Sequence, residues 1–325
     1  MKRARLIPFV AAASLAATAQ AAVPLPALKT DANEISVSGL SSGGYMAVQL
    51  HVAYSATFRR GAGVVAAGPF YCAEGSVANA SGRCLSHGSG IPVASLVSTT
   101  NSWASSGWLD PVANLAGSKV YLFSGTLDKT VVPAVVSDLK TYYRSFVPAA
   151  NIVHNDTLGA GHAMVTDDHG APCGTTALPH IVDCDVDLAG EMLKHLHGPL
   201  KPRNDGALTG SFVEFDQRAF AGGRGMAATG WVYLPRRCAS GRTACRVHVV
   251  LHGCGQNVAS IGDKYVRTTG YNRWADNNDM IVLYPQTSSA AINGCWDWWG
   301  YDYARRSGPQ MAAIKAMVAR LGSRS

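Results

Sequence analysis

This 325-residue sequence is poor in charge. Lys, Arg, Asp and Glu together make up 15% of it, and aromatic residues 8%. Its basic residues are scattered, so a formal net charge of +7 leaves no electrostatic footprint for nucleic acid. No apolar stretch is long and charge-free enough to span a bilayer. No Cys-x-x-Cys pair occurs, which speaks against a zinc site, and no other cofactor or metal is implied. Beyond the extreme N-terminus there is no repeat or low-complexity tract. What the chain has in quantity is apolar and small residues, with 47% hydrophobic and 34 glycines, the composition of a well-packed globular protein.

The chain opens with Lys2, Arg3 and Arg5, followed by an Ala-rich apolar run from Leu6 to about Ala17. Ala19-Gln20-Ala21 then supplies the small-x-small pattern that signal peptidase reads. A leader over 1–21 is therefore expected, with 22–325 forming one exported domain, extracellular or periplasmic. Losing the leader's three basic residues lowers the net charge from +7 to +4. Eight cysteines in an exported chain read as a disulfide framework. Their order suggests local loops, Cys72 with Cys84, Cys173 with Cys184 and Cys238 with Cys245, leaving Cys254 and Cys295 for each other. Sequence alone leaves the connectivity open. Nothing points to an obligate partner, so a monomer is expected.

Short β-rich runs alternate with helical ones, which predicts an α/β fold with a mostly parallel central sheet flanked by helices. Strands are expected at 34–38, 62–66, 119–124 and 151–155. The breaker-rich stretch 198–206 reads as a surface connector. Further strands are expected at 211–216, 229–234, 246–251 and 280–284. An amphipathic helix closes the chain, with Met311, Ile314, Met317, Val318 and Leu321 on one face.

Gly39-Leu40-Ser41-Ser42-Gly43 is the only G-x-S-x-G sequence in the chain. It follows a predicted strand and opens a predicted helix from Gly44 to about Tyr54. In that setting the serine sits on a sharp turn, and the flanking glycines remove side chains that would clash. The helix N-terminus and the Ser42 N–H then point toward an oxyanion. A serine hydroxyl needs a base, and the base an orienting acid. Asp128 follows the strand 119–124, and His162 lies in the glycine-rich loop after the strand 151–155. The order Ser41, Asp128, His162 matches the α/β-hydrolase arrangement. Asp156, Asp167 and Asp168 are rivals for the acid, and His154 and His169 for the base. His154 falls within a strand, and Asp167-Asp168-His169 lies beyond the glycine loop, so both groups fit the geometry less well.

The second oxyanion loop is out of order. In α/β-hydrolases a His-Gly loop precedes the nucleophile. Here the match, Leu251-His252-Gly253-Cys254, comes far downstream of Ser41. A circular permutation accounts for this: the connector 198–206 joins the old ends, and the C-terminal helix should lead into the nucleophile strand. The alternative is that His252-Gly253 is an unrelated turn. The segment from Asn293 to Tyr301 holds Trp296, Trp298 and Trp299. Trp296 reads as core, whereas exposed or half-buried indoles beside the nucleophile would suit an apolar chain carrying ester groups. A Cys254–Cys295 bridge would pin that cluster there.

Three motifs together, 38–46 around Ser41, 251–254, and 294–300, resemble extracellular poly(3-hydroxybutyrate) depolymerases of the single-domain, type 2 kind. The resemblance runs from about residue 33 to about 321 and implies a circularly permuted α/β-hydrolase fold. It implies Ser41, Asp128 and His162 as the triad and the amides of Ser42 and Cys254 as the oxyanion hole. It also implies tryptophans of the 296–299 cluster at the substrate crevice, so Trp298, Trp299 and the motif residue Tyr45 are expected to contact substrate. Many polymer-degrading relatives carry a linker and a separate substrate-binding module; this chain is expected to have neither and to adsorb through its own surface. The expected substrate is a hydrophobic polyester or oligoester. The alternatives are a feruloyl or acetyl esterase of plant polysaccharide, a non-catalytic polymer-binding protein and, more distantly, a metal-dependent hydrolase.

Overall fold

A computed structural model describes residues 22–220, 225–300 and 302–324. The leader expected over 1–21, and Tyr301 at the end of the aromatic segment, lie outside the described residues. The chain runs β1 (Val23–Pro24), β2 (Thr30–Leu40), α1 (Ser42–Ala53), β3 (Gly61–Val65), α2 (Val77–Gly82), α3 (Val93–Ser105) and β4 (Lys119–Phe123). It continues through α4 (Pro133–Tyr143), β5 (Ile152–Asn155), β6 (Met164–Thr166), β7 (Ala171–Pro172), β8 (Ile181–Asp183) and α5 (Leu188–His197). The C-terminal part comprises β9 (Ser211–Asp216), β10 (Thr229–Leu234), α6 (Arg236–Ala239), β11 (Cys245–Leu251) and α7 (Val258–Ile261). Helices α8 (Lys264–Thr268) and α9 (Tyr271–Asn277), strand β12 (Met280–Tyr284) and helix α10 (Pro309–Leu321) complete it.

Nine strands form the main sheet in the order β1-β9-β10-β12-β11-β2-β3-β4-β5. From β12 through β11, β2, β3 and β4 to β5 every neighbouring pair is parallel, while β10 is antiparallel to both β9 and β12. Setting the edge pair member β1 aside, β9–β12 contribute one half of the sheet and β2–β5 the other. The strand that ends in His252-Gly253 is the immediate neighbour of the strand that ends at Ser41, despite their distance in sequence. The C-terminal helix reaches the start of the strand that leads to Ser41: the Leu28 N–H donates to the Leu321 carbonyl at 2.8 Å. This is the adjacency that the permutation requires.

The inner strands are buried on both faces, so they read as continuous apolar runs such as Met280-Ile281-Val282-Leu283-Tyr284. Helix α1 is buried along its whole length, which explains its small and apolar residues and the absence of a polar face. A chain of polar groups ties two of these strands together. His248 of β11 lies between two hydroxyls of β2, with Nδ1 2.7 Å from Ser36 Oγ and Nε2 2.8 Å from Ser38 Oγ. Ser36 also bonds His197 Nε2 at 2.8 Å, and His197 Nδ1 donates to the Glu34 carboxylate at 3.2 Å. Burial lowers the pKa of both histidines, and their bonds hold β2 against β11. Four disulfides close the loops Cys72–Cys84, Cys173–Cys184, Cys238–Cys245 and Cys254–Cys295. These four disulfides fit an extracellular protein. No helix among the described residues is long and apolar enough to cross a membrane.

Candidate active site

Ser41 lies between β2 and α1 with φ 57° and ψ −121°, a backbone that L-residues rarely adopt. The turn is held by the Ser41 N–H on the Val65 carbonyl at 2.9 Å and the Tyr45 N–H on the Ser41 carbonyl at 2.9 Å. Both motif glycines are required by close approach. A β-carbon at Gly39 would overlap the Gly43 carbonyl, and one at Gly43 would overlap the carbonyl oxygens of Leu251 and His252. As the first residue of α1, Ser42 has an N–H with no helical acceptor four residues back, and this leaves it free for an anion.

Asp128 and His162 come from two loops zipped together at the carboxyl ends of β4 and β5. The Thr126 N–H donates to Leu158 O at 2.9 Å and the Leu127 N–H to Ala160 O at 3.1 Å. His162 Nδ1 donates to Asp128 Oδ2 at 2.7 Å, with both side chains buried. The other carboxylate oxygen accepts the N–H groups of Thr130 and Val131 at 2.8 and 2.9 Å. The His162 N–H donates to Thr176 Oγ1 at 2.9 Å. With Nδ1 committed, His162 presents Nε2 as its second ring nitrogen.

Beside the Ser41 turn, the loop after β11 is locked from several directions. The Gly253 N–H donates to Gln256 Oε1 at 2.7 Å, and Gln256 Nε2 donates to Pro179 O at 2.7 Å. The N–H of Cys254 has no acceptor among the described residues. The Cys254–Cys295 bridge and the Gly255 N–H on Asn293 O at 2.8 Å join this loop to the tryptophan segment. His252 is buried, and burial holds its pKa at about 4 against the opposing bond to Gly253 O. It is therefore neutral; Nδ1–H donates to Gly253 O at 2.8 Å and Nε2 accepts the Thr287 N–H at 3.3 Å.

These pieces line one cavity of about 400 Å³, which includes Ser41, Ser42, His162, Cys254, Tyr45, Trp298 and Trp299. Trp296 is fully buried, its indole N–H donating to the His252 carbonyl at 2.9 Å. Trp298 stacks on Tyr45 with ring centroids 3.7 Å apart and planes 9° from parallel. Trp298 is more deeply buried than the exposed or half-buried indoles expected from sequence, while Trp299, which meets it edge-on, is half-buried. Burial pushes the Tyr45 phenol well up, and its hydroxyl donates to the Cys84 carbonyl.

The rival residues lie elsewhere. His154 contacts Asp156 and Ser124, and Asp167 and Asp168 form ion pairs with Arg203 and Arg273. Sequence reasoning missed His180 and Gln256, both of which line the cavity. His180 sits in a stretch without periodicity, and no local signal could have marked it.

The family model described as esterase PHB depolymerase matches residues 229–323. A poly(3-hydroxybutyrate) depolymerase of Delftia acidovorans is 63% identical over 93% of this chain, which spans 62% of that relative's length. A polyhydroxybutyrate depolymerase of Talaromyces funiculosus is 42% identical over 95% of this chain and 96% of its own. The chain belongs to the PHB depolymerase family. The crystal structure of PHB depolymerase from Penicillium funiculosum aligns with a TM-score of 0.87 at 40% identity, over 93% of this chain and 99% of that one. A serine-to-alanine PHB depolymerase complexed with an R3HB trimer aligns equally well, at 41% identity and the same coverage. The α/β fold with its mostly parallel sheet is thus the PHB depolymerase fold.

Proposed function

We propose that this protein is a secreted serine esterase that hydrolyses the ester bonds of poly(3-hydroxybutyrate) or its oligomers, with Ser41, Asp128 and His162 as its triad. The observation that carries the reading is the convergence of the strained Ser41 turn and the Asp128-bound His162 on one cavity walled by Trp298 and Trp299. Among relatives, a serine-to-alanine PHB depolymerase complexed with an R3HB trimer supports both the serine chemistry and the substrate class.

In the first half-reaction His162 Nε2 takes the Ser41 proton as Oγ attacks the ester carbonyl carbon. Negative charge on the carbonyl oxygen is met by the N–H groups of Ser42 and Cys254, which have no competing acceptor among the described residues. Asp128 stabilises the imidazolium and holds its tautomer. His162 then gives the proton to the departing alcohol, and water releases the acyl group by the reverse sequence.

The surface around the cavity suits a water-insoluble polyester. Val77 and Ile292 line it with 67% and 66% of their surface exposed, and exposed Leu178 packs over Gly255. Such aliphatic side chains at the mouth can adsorb to polymer without a separate binding module. The test is release of hydroxybutyrate from polymer film and from soluble oligomers, with Ser41→Ala as control. Release that disappears in the variant is the expected result. Activity on feruloylated or acetylated sugars without any on hydroxybutyrate esters would overturn the substrate, and undiminished activity of Ser41→Ala would overturn the triad.

A further inference from the structure

We propose that His180 positions the water molecule that releases the acyl group from Ser41. The inference rests on the serine-esterase reading above and adds a residue to its second half-reaction.

The deacylating water enters on the side the alcohol has left, where His162 acts as base. A water molecule carries two protons, and only one can go to His162 Nε2. The other needs an acceptor if the oxygen lone pair is to face the acyl carbon. His180 supplies one. It lines the same cavity as Ser41 and His162, and its ring centroid is 6.1 Å from that of His162, with the planes at 77°. That separation is too wide for a direct bond and suits a single bridging water.

The tautomer of His180 is set by the protein. Its Nδ1 donates to the His162 carbonyl at 3.1 Å, which leaves Nε2 as a lone-pair acceptor with no partner among the described residues. Burial, and then the neighbouring His162 ring, lower its pKa, so the acceptor stays unprotonated in neutral solution. The backbone is equally fixed. His180 has φ 53°, its N–H donates to Ala177 O at 2.7 Å, and its carbonyl accepts the Met164 N–H at 2.9 Å. Gln256, which also holds the Gly253 amide, donates to the same carbonyl at 3.1 Å. The acceptor is thus tied both to the base and to the loop bearing Cys254.

The step balances as ordinary ester hydrolysis. The water oxygen bonds to the acyl carbon while one proton passes to His162 Nε2 and the other remains on oxygen, held by His180 Nε2. The bond from that carbon to Ser41 Oγ then breaks, and His162 returns its proton to Ser41.

Two variants separate this role from simple support of His162. His180→Asn keeps a donor for the His162 carbonyl and tolerates positive φ, but lacks the acceptor at the Nε2 position. His180→Gln carries a carbonyl oxygen near that position. With p-nitrophenyl butyrate as substrate, the rate of the p-nitrophenol burst reports acylation and the later steady rate reports deacylation. Methanol, with one hydroxyl proton, needs no second acceptor and serves as a competing nucleophile. The expected result for His180→Asn is an unchanged burst rate, a steady hydrolysis rate lower by about tenfold, and a larger share of methyl butyrate, with recovery in His180→Gln. An equal fall in burst and steady rates, or an unchanged share of methyl butyrate, would overturn the proposal. A protein in which Ser41→Ala still turned over the ester would instead bring down the esterase reading, and this inference with it.

Discussion

Gly43, two residues beyond Ser41, packs against the backbone of Leu251 so closely that a β-carbon on it would overlap the Leu251 carbonyl oxygen. The helix carrying the Ser42 amide and the strand leading to the Cys254 amide thus meet backbone to backbone, with Gly43 as the point of contact. The obstructing atoms are main chain and cannot swing away as a flexible side chain would. Gly43→Ala should therefore separate the two amides and cost on the order of 1–3 kcal/mol of stability. If the two amides form the proposed oxyanion hole, misplacing one costs about 10²–10³ in kcat, and activity should fall much further than stability. Ester kinetics and thermal unfolding on the same preparation check this; a variant with unchanged kcat would show that the contact is not needed for catalysis.

The strain at Ser41 leads to an opposite pairing of effects. A non-glycine residue with φ 57° and ψ −121° costs about 1–3 kcal/mol that glycine does not incur. Ser41→Gly should abolish turnover yet melt higher than Ser41→Ala, by roughly 2 °C or more for a domain of this size. Equal melting temperatures for the two variants would mean that the surrounding bonds, not the serine side chain, bear the strain.

The fold was readable where apolar runs were bounded by breakers. Strands expected at 211–216, 229–234 and 280–284 occur with those bounds, because β-branched and aromatic residues there end at glycine, proline or polar turns. The strand leading to Ser41 starts earlier than expected, at Thr30, since its polar first residues are held by pairing with Cys245 across a register shift and not by burial. The small sheet of β6, β7 and β8 left no signal, as strands of two or three residues have no periodicity to detect. At the site, the turn around Ser41 was legible because its backbone demands glycine at fixed offsets. His180 and Gln256 were not, because they reach the cavity through long-range backbone bonds that leave no local pattern.

The Cys254–Cys295 bridge closes a segment with a sequence separation of 41, the longest of the four, and joins the Cys254 amide to the tryptophan wall. Loop closure of that length corresponds to about 4 kcal/mol in the chain-entropy account. Replacing both cysteines by alanine should lower the melting temperature and, well below it, reduce kcat more than it raises KM. The reason is that in the proposed mechanism the loop places a group acting on the transition state, while the stacked Tyr45–Trp298 pair is also held by the Gln49 side chain on Trp298 O at 2.7 Å. A variant destabilised but fully active at low temperature would restrict the bridge to a stability role.

Acid should weaken this protein before its carboxylates titrate. Burial holds His252 at about 4 and His51 at about 3, and it also lowers His197 and His248. In the unfolded chain these rings titrate near about 6.5. Between those values the unfolded chain takes up protons that the native core refuses, so stability is greatest above about pH 6.5 and declines as the pH falls toward 4 and then 3. Glu34 extends the decline to lower pH. Burial alone would raise it, but the bonds from His197 and Arg60 hold it at about 2, so its contribution is present above the ordinary carboxylate range and lost as the pH falls toward 2. Each fully neutral buried ring contributes a slope of about 1.4 kcal/mol per pH unit inside its window. Urea unfolding from pH 7 to pH 4 should show a falling midpoint. His252→Asn, which can keep a donor to the Gly253 carbonyl, should remove one such slope. A midpoint constant across that range would mean that the buried rings open to water and protonate in the native state.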